Sequence, residues 1–366
     1  MQTKHSTGNS IQYDHVVAAW REQLVQALND PAFKQRLVNH ERELLPRFAA
    51  QYTKLQTLPR RARRAMQRQW KRSLAGVALL LALGQTPALA ATINIGGGGG
   101  QTSAPIKVCS LVDAITAANT DTSTGGCPAG SGADTIVLPK GSTQTLTAIN
   151  NSEADQYDRF FSGPNGLPLV TSAITIQGNG ATIRRASSAP EFRIFAVDFD
   201  GRLSLQRTRV SGGKTPDGGG GIASAGRVIL SSSTISGNSA SGGGGVLNLG
   251  TLTVTRSTIS NNSSAAGGGG GGGVRSDGEA GGGNLTIINS AISGNSAKGS
   301  SGGGVCIDYA TLTVTGNTIS GNRATGGRGG GVESFQSDLT LTNSTISGNS
   351  ANGIGGGISI TLGNNQ

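Results

Sequence analysis

Ser233-Thr-Ile-Ser-Gly-Asn-Ser-Ala240 decides the fold, because the chain repeats it. It returns as Ser257-Thr-Ile-Ser-Asn-Asn-Ser-Ser264, Ser290-Ala-Ile-Ser-Gly-Asn-Ser-Ala297, Asn317-Thr-Ile-Ser-Gly-Asn-Arg-Ala324 and Ser344-Thr-Ile-Ser-Gly-Asn-Ser-Ala351, with a degenerate copy at Thr208-Arg-Val-Ser-Gly-Gly213. The apolar residue of each copy (Val210, Ile235, Ile259, Ile292, Ile319, Ile346) recurs about every 27 residues. A repeat of that length is one supersecondary unit that cannot bury its apolar face alone, so copies must stack. Before each later phrase runs a period-2 stretch such as Leu252-Thr-Val254, Leu285-Thr-Ile287, Leu312-Thr-Val314 or Leu339-Thr-Leu341. Alternation with Thr and branched residues reads as a strand with one buried face. Glycine runs end in a further short strand, as in Gly242–Gly245 before Val246 and Gly302–Gly304 before Val305.

The expected architecture is therefore all-β: a single-stranded parallel β-helix, one repeat per coil, with successive coils about 4.8 Å apart. Val210, Ile235, Ile259, Ile292, Ile319 and Ile346 form its inner stack. Asn238, Asn262, Asn295, Asn322 and Asn349 sit three residues later in a turn, where a ladder of side-chain amides can satisfy the bend. Uneven spacings are absorbed by glycine loops such as Gly267–Gly283. Functional readings of the glycines fail. Gly213-Lys214-Thr215 resembles the end of a phosphate-cradling loop, but that motif needs Gly where Thr208 stands. Calcium-binding Gly-Gly-x-Gly-x-Asp nonapeptides do not recur.

Charge divides the chain. Residues 1–90 hold 14 Lys and Arg against 5 Asp and Glu, whereas residues 91–366 hold 16 against 15. The basic excess belongs to the leader, so no nucleic-acid footprint is expected on the rest. All 3 His lie at His5, His15 and His40, so chemistry beyond residue 90 must use carboxylates, Lys, Arg, Tyr or an oxygen-held ion. Arg60 to Arg72 is a positive run, Leu74 to Leu83 an apolar segment, and Ala88-Leu-Ala90 a small-residue site. Residues 66–90 thus read as a signal peptide cleaved between Ala90 and Ala91. The apolar segment is short for a membrane span, which needs about 20 residues; an uncleaved anchor is the alternative. Residues 1–65 read as a helical extension, either export-related or upstream of a true start at Met66. The membrane enters only through this leader.

Cys109-Ser-Leu-Val-Asp-Ala-Ile-Thr-Ala-Ala-Asn119 reads as a short amphipathic helix with Ser110 as N-cap and Asp113 completing a capping-box-like pair. It is placed to cover the first coil, so residues 91–140 form a cap and 141–366 the repeats. Cys109 and Cys127 flank one loop and can bridge after export. Cys306 is then a lone buried thiol, and no metal or cofactor site is expected.

The helix sequence, followed by Cys127-Pro-Ala-Gly-x-Gly-Ala-Asp-Thr-Ile136 and Leu138-Pro139, resembles the CSLREAI-type domain. That domain heads exported bacterial proteins with pectin-lyase-like right-handed β-helices. Val112-Asp113 departs from the family's Arg-Glu and keeps one acid. The Gly-Gly-Gly-(Ile/Val) and Ile-Ser-Gly-Asn units are similar to polymorphic outer-membrane protein repeats, with Ile where those carry Phe. The resemblance spans roughly residues 105–360. It implies a right-handed coil and an outer-membrane, cell-surface or extracellular place, and carries no catalytic set.

The expected function is a non-catalytic, adhesin-like or structural β-helix contacting polysaccharide or other cell-surface components. A polysaccharide lyase or hydrolase is the alternative; its best acids are Asp198 and Asp200, which could share one face of a strand near Arg184, Arg185, Arg207 and Arg209, although the plainer reading of the same stretch is a strand ending in an Asp-Gly turn with solvated charges. A third reading is a passenger fragment of a larger surface protein. The sequence closes at Ile358-Ser-Ile-Thr-Leu-Gly-Asn-Asn-Gln366, inside what reads as another coil. Further sequence or a partner is expected to cover that end.

Overall fold

The computed structural model describes residues 90–96, 108–152, 163–267, 269–278 and 282–362. The expected helical extension (1–65) and the signal peptide short of Ala90 lie outside the described residues. The described chain is a parallel β-solenoid of about 7 turns with one short helix before it.

Each turn visits four faces in order. In one turn these are Arg227–Ser231, Thr234–Ser236, Ser239–Ala240 and Val246–Asn248, after which Thr251–Thr255 begins the next turn. The first face is a 9-stranded parallel sheet from Thr92–Asn94 to Asp338–Thr342; the second, third and fourth have 8, 5 and 7 strands. Register follows the repeat. On the second face Val210 pairs with Ile235, Ile235 with Ile259, Ile259 with Ile292, Ile292 with Ile319, and Ile319 with Ile346. All but Ile346 are fully buried, and Ile346 packs against the same core from the last turn. A one-residue slip would turn every one of these side chains to solvent, which is why the register holds through unequal loops.

Helix α1 (Leu111–Thr120) precedes the second first-face strand. Ser110 caps it: Asp113 N donates to Ser110 Oγ at 3.1 Å, and Ser110 Oγ donates to Asp113 Oδ2 at 2.7 Å. Leu111, Ala114, Ile115 and Ala118 are buried in the solenoid's own core, so the helix closes the first turn. Asn119 fixes it there, donating to Leu169 O at 2.7 Å and accepting from Thr171 N at 3.0 Å. Cys109 and Cys127 form a disulfide across 18 residues, a loop whose closure is worth about 3 kcal/mol in the chain-entropy picture.

Glycine explains how the fourth face is covered. Its outward residues Ala196, Ala223, Leu247 and Cys306 are buried, although they face away from the core. The glycine runs lie directly on them: a Cβ on Gly302 would stand 2.6 Å from Cys306 Cβ. Only a residue without a side chain permits that approach.

Candidate functional site

Asp198 and Asp200 are not on a strand. The strand Phe195–Val197 ends before them, and Asp198 accepts from Gly201 N at 2.9 Å in the turn that follows. This is the plainer of the two readings, a strand that ends in an Asp-Gly turn, and not the one-faced carboxylate pair. The expected arginines do not converge on them either. Arg207 lies beyond the strand Arg202–Gln206, a run of about 17 Å at 3.3–3.4 Å per residue. Its guanidinium donates to Asn179 Oδ1 at 3.3 Å, and Arg185 is held by Gly212 O at 2.9 Å and Ala189 O at 2.7 Å. Arg184 donates to Thr145 Oγ1 at 3.3 Å, and Arg209 begins the second-face strand Arg209–Ser211.

A different pair comes together on the outer side of the first face. Ala133, Ala173, Arg202 and Arg227 occupy one register row on four adjacent strands. Two methyl groups beside two long side chains make a concavity. The resulting open groove of about 300 Å³ is lined by Ala133, Ala173, Thr175, Arg202, Ser204, Arg227 and Ile229. Arg202 and Arg227 are exposed and directly opposite each other. Like charges so placed destabilise a sheet, and an anion between them relieves that repulsion. Guanidinium also matches a carboxylate in planar, two-point fashion.

Beyond the groove the same face is uncharged on the next three strands, and the last strand carries an exposed Asp338. Its middle outward row continues through Thr253, Thr286, Thr313 and Thr340, in strict register. Register alone sets these threonines about 4.8 Å apart along the face.

A buried charged network occupies the outer side of the fourth face. Asp277 and Asp308 are register partners, as are Arg275 and Cys306, and Cys306 and Glu333. Arg275 pairs with Asp277 at 3.0 Å and with Asp308 at 3.6 Å. Burial, with the like charges of Asp277 and Glu333, pushes Asp308 up to about 6 against the pull of Arg275. Burial also raises Glu333, and burial with the neighbouring acids pushes the Cys306 thiol well up, so it is not a reactive thiolate. Carboxylates on adjacent coils thus converge, as a hydrolase would require. However, the Asp277 side chain is only 5% exposed and bound to Arg275, which leaves a sugar no approach to it. No group of His, Cys, Asp or Glu among the described residues has metal-site geometry.

This network has a pH signature. Between about pH 4 and 6 the folded chain keeps a proton on Asp308 that the unfolded chain has lost, so stability falls as pH rises through that window and stays lowered above it. Asp308→Asn removes the effect. Urea unfolding should show a gain on the order of 1–2 kcal/mol at pH 7.5, discounted from the full shift for residual exposure, and none near pH 4.

The asparagines stand in the corner between the second and third faces. Asn238 Nδ2 donates to Asn262 Oδ1 at 3.0 Å, Asn262 to Asn295 at 3.0 Å, Asn295 to Asn322 at 2.9 Å and Asn322 to Asn349 at 2.9 Å. Each Nδ2 also donates to an inner-stack carbonyl one coil back, as Asn295 does to Ile259 O at 2.9 Å. A second ladder, not foreseen, runs through the first letter of the repeat phrase. Ser233 N donates to Ser257 Oγ at 3.0 Å, Ser257 N to Ser290 Oγ at 3.1 Å, and Ser290 N to Asn317 Oδ1 at 2.7 Å. Both ladders hold coils together.

No family model matches this chain, and no curated protein or solved structure matches it.

Proposed function

We propose that the protein is exported and serves, without catalysis, as a surface-associated or secreted binder of acidic polysaccharide. The observation that carries this reading is the groove with Arg202 and Arg227 opposed in register and open to solvent. A uronate carboxylate would bridge the two guanidiniums, and the hydroxyl row from Thr253 to Thr340 would follow the neutral part of a linear glycan. The leader supports export, and the CSLREAI-type and outer-membrane-repeat resemblances, which imply a right-handed coil, support an outer-membrane, cell-surface or extracellular place. An adhesin-like part within a larger surface assembly fits the same face.

Affinity electrophoresis of the processed chain in gels cast with polygalacturonate, and separately with a neutral glucan, tests this. Retention is expected on the acidic polymer alone. It should weaken about tenfold in Arg202→Gln/Arg227→Gln, the scale of one charge-assisted contact pair, and fall with added salt. Equal retention of the double variant would sink the reading. The converging carboxylates give a hydrolase reading its one favourable observation. New polymer ends that vanish in Asp308→Asn would replace the binder with that enzyme.

A further inference from the structure

Asp134 lies in the first complete turn, on the strand Ala133–Val137, and is 0% exposed. Its Oδ1 accepts from Ser131 N at 2.7 Å and from Ala91 N at 3.1 Å. Its Oδ2 is buried with no hydrogen-bond partner among the described residues, and no cation there forms an ion pair with it. A buried carboxylate without a counter-charge is costly, and a backbone amide supplies only one proton. The donor that reaches Asp134 is the nitrogen of Ala91, and Ala91 follows Ala88-Leu-Ala90. Ala90 is exposed, whereas Ile93, two residues past Ala91, is fully buried in the core.

We propose that Asp134 is the receptor for the mature N-terminus: cleavage after Ala90 turns the Ala91 nitrogen into an ammonium that forms a buried ion pair with Asp134. This rests on the export-leader reading above. Hydrolysis adds water across the Ala90–Ala91 peptide bond. The C–N bond breaks, Ala90 leaves as a carboxylate, and the released amine takes a proton at neutral pH. One N–H becomes three, and a positive charge appears beside the buried carboxylate. The neighbouring bonds hold the new terminus in place. Thr135 N donates to Ala91 O at 2.8 Å, and Thr92–Asn94 pairs with Thr135–Val137. Processing thereby adds an ion pair to the first strand of the solenoid, whose backbone pairing is already in place.

The full chain is expressed with its leader, and the intact mass of the exported product reads its first residue. Thermal unfolding is then compared for four exported chains: the native chain, a chain with one Ser inserted between Ala90 and Ala91, and each of these carrying Asp134→Asn. The native product should begin at Ala91. The insertion, which leaves the Ala91 nitrogen an amide, should lower Tm by about 5 °C. Asp134→Asn should cost more in the native chain than in the inserted one. A product beginning elsewhere overturns the leader reading. A product beginning at Ala91 whose Tm is unmoved by the insertion overturns the ion pair alone. The insertion leaves the core sequence intact, so this comparison stands even if Asp134→Asn fails to fold.

Discussion

Asn295→Ala should destabilise the solenoid by about 4 kcal/mol, because it removes four hydrogen bonds from the middle of a buried ladder. Asn295 Oδ1 accepts from both the backbone N and the Nδ2 of Asn262, each at 3.0 Å. Its own Nδ2 donates to Asn322 Oδ1 at 2.9 Å and to Ile259 O at 2.9 Å. Alanine leaves two donors of Asn262 facing a void. Asn262 and Asn295 are each 1% exposed, so water does not replace the lost partner. Each orphaned buried group costs about 1–3 kcal/mol, which sets the scale. Asn349→Ala supplies the contrast. That residue is half-buried in the last turn, so solvent can take over its bonds and the loss should be about 1 kcal/mol. Urea unfolding of both variants measures the difference. Equal losses would mean that the ladder's burial contributes nothing.

The repeat phrase made most of the fold legible because one short string carries three jobs at once. Its Ile enters the core, its Asn builds the corner ladder, and its alternating prelude forms the first face. The cap was legible for a similar reason: Ser110 and Asp113 are a local signal that needs no tertiary knowledge. What escaped the sequence depends on register between coils. Asp277 and Asp308 look like isolated acids 31 positions apart, with a glycine loop of unusual length between the coils. Only the pairing of Arg275 with Cys306 puts the two carboxylates side by side. Arg202 and Arg227 fall in one row through the same arithmetic. Asp198 and Asp200 were legible as the strand end and Asp-Gly turn that they are, because that turn signal is local, whereas their pairing on one strand face rested on an alternation of only four residues. Asp134 was hidden inside the resembling segment, and its meaning emerges only from the approach of the Ala91 nitrogen.

Gly273→Ala is expected to be as damaging as the loss of Asn295, for the opposite reason: it adds an atom where none fits. An added Cβ would lie 2.6 Å from Gly304 O and 3.0 Å from Asn295 Cγ. The first contact cannot relax without cost, since Gly304 O is the acceptor for Gly273 N at 3.0 Å and Val274 N at 2.9 Å. The second presses on the asparagine ladder itself. Moving either neighbour parts two coils along the line where Gly245, Gly273, Gly304 and Gly331 pack against successive asparagines. Overpacking of this kind costs about 1–3 kcal/mol in ordinary cores, and backbone contacts that cannot yield put this site at about 3–4 kcal/mol. Gly357 is the internal control. It occupies the same row in the last turn, where an added Cβ meets only Ile346 Cγ2 at 3.4 Å, an ordinary contact. Gly357→Ala should therefore shift the urea midpoint little. The two central substitutions should also couple: with Asn295 already cut to Ala, Gly273→Ala loses one of its two clashes and should cost less than it does alone. Strict additivity would show that the glycine line and the asparagine ladder are independent supports, whereas coupling would show that each glycine of the repeat is there to leave room for the next coil's asparagine.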